Sequence, residues 1–146
     1  MSQACKYAVD HKQEKDPIQI LKSGYEAAKG ITGSSTACVV SITDNKCQGA
    51  NLGDSSYLII RNEKLLFKSI EQQFSFNFPF QLGSNNLNVP TDAAIASHPL
   101  ESGDIIILVT DGVLDNISPR ELTTLASAHK ELPSQNIASK IASNAY

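Results

Sequence analysis

The sequence predicts an α+β fold, antiparallel strands flanked by helices, on three observations. Short β-prone runs separated by turn residues follow one another between residues 34 and 68. An unbroken apolar run, Ile105 to Val109, stops just before Asp111-Gly112. Helix-start signals with helical spacing precede the first strands and follow the last apolar run. A length of 146 residues suits one domain with a single core.

Asp16-Pro17 followed by Ile18, Leu21, Tyr25 and Ala28 predicts a helix from about residue 16 to 29, with proline in its first turn. Gly30 and Gly33 end it, and Ser34 to Ile42, rich in small and β-branched residues, is a strand. Turns at Thr43-Asp-Asn-Lys46, Gly53-Asp54-Ser55 and Arg61-Asn-Glu-Lys64 then set off residues 47–52, 57–60 and 65–68. The four runs read as one antiparallel meander, with Gly53-Asp54-Ser55 as a hairpin turn.

Residues 69 to 90 have no clear period. Phe74, Phe76, Phe78 and Phe80 alternate as in a strand, but Pro79 has no ladder donor, so an edge or an extended loop is expected. The rings are expected to pad one side of the sheet. His98-Pro99 is placed in a loop. Ile105 to Val109 reads as a strand buried on both faces, and Gly112 allows the sharp turn that brings Asp111 to the rim of the core. Ser118-Pro119-Arg120-Glu121 combines an N-cap hydroxyl, a first-turn proline and a glutamate three residues after the cap, which starts a helix running to about Ala128. Ile137 and Ile141 place a second helix from near Ser134, and the chain stops at Tyr146 as if cut rather than capped.

Composition narrows the partners. A net charge of -3 gives no electrostatic reason to expect nucleic acid or an acidic membrane surface. Cys5, Cys38 and Cys47 are odd in number and form no C-x-x-C pair, against both a disulfide framework and a structural zinc site; Cys38 lies in an apolar run and reads as a core thiol. No apolar segment reaches the ~18 residues of a membrane span, and the start Met-Ser-Gln-Ala-Cys-Lys resembles neither a signal nor a transit peptide, so an intracellular chain is expected.

Asp111 is the candidate site. A hard cation such as magnesium or manganese takes oxygen ligands and often needs only one or two protein carboxylates plus water, and Asp115 lies four residues on. An Asp-Gly pair after a strand serves equally as a plain turn, and Asp115-Asn116 equally as local capping. A strand ending in Asp-Gly-Val-Leu also resembles the first motif of haloacid-dehalogenase-type phosphatases, but the nucleophile position, two residues before Asp111, is Val109. No Gly-x-Ser-x-Gly elbow occurs. Gly30-Ile-Thr-Gly-Ser-Ser-Thr36 has no lysine and the wrong glycine spacing for a phosphate loop. His11, His98 and His129 are scattered.

Several stretches together resemble a family. Gly33-Ser-Ser-Thr-Ala37, Ala50-Asn-Leu-Gly-Asp-Ser55 with Leu58 to Arg61, Gln72-Gln73 with Phe76-Asn77 and Pro79-Phe-Gln-Leu82, and Gly103 to Asn116 occur in the order seen in metal-dependent type 2C (PPM-type) protein phosphatases. The stretch from Gln72 to Leu82 looks most like the branch holding the mitochondrial enzymes and their sporulation-protein relatives. The resemblance covers roughly residues 16 to 146, leaving about 1–15 poorly matched.

That resemblance implies a four-layer αββα sandwich of antiparallel sheets flanked by helices, of which residues 1–146 form a single incomplete domain. It implies two Mn2+ or Mg2+ ions whose activated water hydrolyses phosphoserine and phosphothreonine in a phosphoprotein substrate. Asp111, with Gly112 beside it, matches the metal-binding Thr-Asp-Gly motif, while Asp115, Asn116, Asp54 and Ser55 fall in secondary or structural positions. It further implies mitochondrial residence, with the cytoplasm as the default. The departures are equally specific. Asp10, Glu14, Asp16 and Glu26 are not followed by glycine, no Asp-Asp-Ile-Thr strand closes the chain, and Phe74 stands where the branch has histidine. A truncated, metal-poor domain of weak or no activity is therefore expected, prone to self-association through exposed sheet edges. A non-catalytic pseudophosphatase binding a protein partner is the alternative.

Overall fold

A computed structural model describes residues 15–84 and 88–146, so Cys5, Asp10, His11 and Glu14 lie outside the described residues. In chain order the elements are α1 (Pro17–Ala28), β1 (Ser34–Ser35), β2 (Ala37–Thr43), β3 (Lys46–Leu52), β4 (Ser56–Arg61), β5 (Lys64–Lys68), β6 (Gln73–Ser75), β7 (Phe78–Pro79) and β8 (Leu82–Gly83). A 3-10 turn (Pro90–Asp92) precedes β9 (Ala94–Pro99), β10 (Ile105–Val109), α2 (Asp111–Leu114), α3 (Pro119–Ala128) and α4 (Ser134–Ala145). All pairings are antiparallel, as predicted. The chain forms two compact units, Met1–Ser55 with Ser69–Leu100, and Ser56–Lys68 with Glu101–Tyr146.

In the first unit, Asp16 caps α1 by accepting from the Ile18 N–H at 3.0 Å, with Pro17 in the first turn as the sequence indicates. The helix lays Ile18 and Leu21 against Ala50, Leu52 and Ala93, with Ala37, Val39, Phe80 and Leu82 at the border. Its sheet runs β2-β3-β9, in register Ala37 to Leu52 and Cys47 to His98. Strand β9 corrects the loop placement of His98-Pro99. Ala94-Ile-Ala-Ser-His-Pro has weak β propensity, and pairing along β3 overrides it. Cys47 is wholly buried and Cys38 half-buried; burial pushes the Cys38 thiol up to about 11 and raises Cys47 as well, so both stay protonated and unreactive.

The short hairpin β6–β7 turns at Asn77 (φ 55°), and Pro79 ends its second strand, where the missing donor costs no ladder bond. Of the four rings only Phe80 pads the sheet. Phe80 borders the core, whereas Phe74 and Phe78 are more than half exposed and Phe76 is 98% exposed. Phe74 stacks on Phe80 at 4.3 Å and on Phe78 at 5.5 Å between centroids, so these rings cluster with one another.

In the second unit the sheet runs β10-β4-β5. Leu58, Ile60 and Ile107 meet Ile117, Leu122 and Ala126 around α3, and Ile141 of α4, in one core cluster. The α3 start is the predicted capping box: Glu121 N–H donates to Ser118 Oγ, and Ser118 N–H donates back to Glu121. Two expectations are corrected here. The strand buried on both faces is β4, whose residues Ser56 to Ile60 are all buried, because it holds the centre of the sheet. β10 is an edge strand, with Ile107 buried and Leu108 half exposed. The single four-stranded meander is likewise two hairpins, β2–β3 and β4–β5, in different sheets. Gly53-Asp54-Ser55 links β3 to β4 without pairing them, since β9 and β10 occupy the neighbouring ladders.

Candidate functional site

Strand β10 delivers the acidic turn. Val109 ends the strand, Thr110 is extended (φ -91°, ψ 169°), and Asp111 opens the one-turn helix α2. The reversal therefore happens between Thr110 and Asp111, not at Gly112, which is helical and has only Thr110 Oγ1, at 3.7 Å, near the place of a side chain.

Asp111 is exposed, as the rim reading required. Its Oδ1 accepts from the Gly112 N–H at 2.8 Å, and its carbonyl accepts from the Asp115 N–H at 2.8 Å. Asn116 Nδ2 donates to the Gly112 carbonyl at 2.9 Å, closing the turn from the far side. Asp111, Gly112, Asp115 and Asn116 thus share one short, exposed segment.

Asp54 and Ser55 belong to the other unit and are buried, each 7% exposed. Ser55 and Thr36 share a hydroxyl hydrogen bond of 2.9 Å. Gly53, between β3 and this pair, offers its carbonyl to the Gln72 N–H at 2.9 Å and to Asn51 Nδ2 at 3.4 Å. Asn51 is wholly buried at the end of β3 and also donates to the Ile70 carbonyl at 3.0 Å. Thr36, Asn51 and Gln72 were legible only as parts of longer stretches. An amide at the end of a strand that continues into glycine is the sequence signal for such a brace.

Donor chemistry limits what can bind at the turn. An exposed carboxylate with one oxygen held by a neighbouring N–H is the type of donor a hard cation carrying its own waters takes. A two-ion centre needs several carboxylates converging on one point. Among the described residues no group of three or more His, Cys, Asp or Glu side chains is placed to hold a metal ion, so these residues do not fit a two-ion centre. Among them, too, no helix is long and apolar enough to cross a membrane.

Comparison with known proteins bears on the whole chain. Residues 3–145 match the family model of stage II sporulation protein E (SpoIIE). The chain is 37% identical to probable protein phosphatase 2C 80 of Arabidopsis thaliana over 130 residues, 87% of this chain and 31% of that protein. It is 39% identical to the protein phosphatase PTC7 homolog fig of Drosophila ananassae over 117 residues, 70% of this chain and 35% of that one. It thus spans about a third of the length of these curated relatives. Among solved structures, the photosystem II phosphatase PBCP superposes with a TM-score of 0.88 at 27% identity, covering 99% of this chain and 57% of that one. The catalytic domain of the serine/threonine phosphatase PstP, solved with two manganese ions, gives 0.72 at 15% identity, over 97% of this chain and 70% of that one, a likeness of fold.

Proposed function

Because the chain belongs to the SpoIIE family of type 2C phosphatases, we propose that it serves a protein phosphatase hydrolysing phosphoserine and phosphothreonine. The match over residues 3–145 carries this reading. The relatives named above are phosphatases by name, which does not favour a non-catalytic interaction module. Residues 1–146 are taken as part of one such domain, and the substrate as a phosphoprotein. Mitochondrial residence belongs to the proposal only through the resemblance of the stretch from Gln72 to Leu82 to the mitochondrial branch.

Asp111 is assigned as a ligand for manganese or magnesium. The Gly112 N–H orients its carboxylate, and the Asn116 amide steadies the Gly112 carbonyl rather than leaving that oxygen without a partner. Asp115 holds the turn through its backbone N–H. Asp54 and Ser55 act as buried structural residues in their own unit, Ser55 through the Thr36 hydroxyl. Self-association is proposed through the outer edges of the three-stranded sheets and the exposed phenylalanine hairpin.

Phosphate release from a phosphothreonine peptide, measured with the whole gene product and with the 146-residue chain, tests the assignment. The whole product is expected to turn over with added Mn2+ and to lose activity with chelator or with Asp111→Asn, the chain alone being weak or inactive. Turnover of the whole product unaffected by Asp111→Asn overturns the site; none under any metal overturns the function.

A further inference from the structure

We infer that Asn51 and Gln72 hold one buried water molecule between their side-chain oxygens, as a fixed part of the brace at Gly53. The site lies wholly in the first unit and stands apart from the phosphatase reading.

Two amide residues meet at one carbonyl. Asn51 Nδ2 donates to the Gly53 carbonyl at 3.4 Å and to the Ile70 carbonyl at 3.0 Å, while the Gln72 backbone N–H donates to the same Gly53 carbonyl at 2.9 Å. A second anchor lies at the start of β9. Gln72 Nε2 donates to the Asp92 carbonyl at 2.8 Å, and Asn51 stands in register with Ala94, two residues further on. These bonds fix which end of each amide is oxygen, because a carbonyl accepts only from the NH2 end. Asn51 Oδ1 and Gln72 Oε1 are therefore acceptors. Both atoms are buried, and neither has a donor among the described residues.

Donor count then names the ligand. The Gln72 N–H is taken by Gly53, and the Phe80 N–H by the Gln72 carbonyl, so neither is left for the side-chain oxygens. An amide oxygen buried without a donor is costly, and internal water is the usual remedy. Water carries two O–H donors, one for each oxygen, and brings no charge into the interior. So bridged, residues 70–72 are tied to β3 through the water as well as through Gly53.

A crystal structure of the 146-residue chain, together with oxygen-17 relaxation dispersion that counts long-lived internal waters in solution, tests the site. The expected result is a water peak within hydrogen-bond distance of both Asn51 Oδ1 and Gln72 Oε1, and a count that falls by one in Gln72→Met, which keeps the length of the side chain without its oxygen. A circular dichroism melt shows whether that variant is folded; if it is not, the parent crystal structure alone decides. The absence of a peak touching both oxygens, a protein donor reaching either of them, or an unchanged count in folded Gln72→Met each overturns the inference.

Discussion

Arg61 clasps both oxygens of Asp104, Nε on Oδ1 and Nη2 on Oδ2, each at 2.8 Å, while its Nη1 reaches Glu101 at 2.6 Å. Arg61 ends β4 and Asp104 stands one residue before β10, so the fork ties the two paired strands at their shared end. The Asp104 side chain is 4% exposed, and a buried carboxylate is tolerable only because it is paired so fully. The Arg61 bonds, followed by the Glu101 N–H, hold its carboxyl below the usual carboxylate range.

That depressed pKa fixes the sign of a pH effect. A carboxyl held low in the folded chain stabilises it above the ordinary carboxylate pKa and loses that contribution as pH falls through the folded value. Asp104→Asn is therefore expected to lower Tm at neutral pH and to flatten the acid side of the Tm profile, the two proteins converging at the acid end. Parallel profiles would remove the clasp as the cause.

Leu122 is wholly buried in the cluster of the second unit, beside Ala126 and Leu58. Leu122→Ala is expected to cost about 2–5 kcal/mol, the range for a large-to-small change at a packed site. Urea unfolding reads it as a lower midpoint at an unchanged slope. A cost near zero would mean that α3 does not pack as described.

Gly53 and Gly103 make a controlled pair. Both have positive φ, 102° and 94°, so alanine at either meets a left-handed penalty of roughly 1–2 kcal/mol. At Gly103 a side chain meets nothing within 4 Å, whereas at Gly53 it would sit 2.5 Å from Thr36 Cγ2 and 2.6 Å from the Phe80 carbonyl oxygen. A backbone oxygen cannot rotate away, so Gly53→Ala is expected to be clearly the more damaging in thermal melts. Equal losses would show that the close approach relaxes.

These positions also show which parts of the structure were legible in the sequence. The helix starts at Asp16 and Ser118 were readable because a cap is local: side chain, N–H and proline sit within a few residues. Asp111 was readable as a rim carboxylate for the same reason. Sheet membership was not. Whether Gly53-Asp54-Ser55 folds back as a hairpin or hands the chain to another sheet depends on which strand takes the open ladder. β9 and β10 do so from over 40 residues away along the chain. The same distance hid the edge position of Ile105 to Val109, whose composition is that of a central strand.

Phe76 offers almost its whole side chain to water at the tip of the β6–β7 hairpin, with Phe74 and Phe78 behind it. Removing the ring takes away apolar surface that is almost wholly exposed. Phe76→Ser is expected to change stability by no more than about 0.5 kcal/mol and to lower the average mass in concentration-dependent light scattering. A parent chain that is monomeric throughout would dispose of self-association at this hairpin.

Asp111 and Ser118 each stand at the start of a helix that follows β10, yet they are expected to fail in opposite ways. Asp111 is exposed, and the bond its side chain accepts comes from the next residue, a bond an asparagine oxygen can also accept. Asp111→Asn should therefore change stability by no more than about 0.5 kcal/mol, the usual span for surface changes, while abolishing manganese uptake and phosphate release. Ser118 accepts from the Glu121 N–H and donates to its carboxylate, holding that carboxyl below its ordinary range and fixing the first turn of α3. Ser118→Ala should cost about 1 kcal/mol through the lost cap and leave manganese uptake intact in the folded protein. Measuring both quantities on both variants gives a crossed result if Asp111 is there for chemistry and Ser118 for the helix. If Asp111→Asn instead unfolds the chain, the carboxylate is a structural turn residue and the metal assignment falls with it.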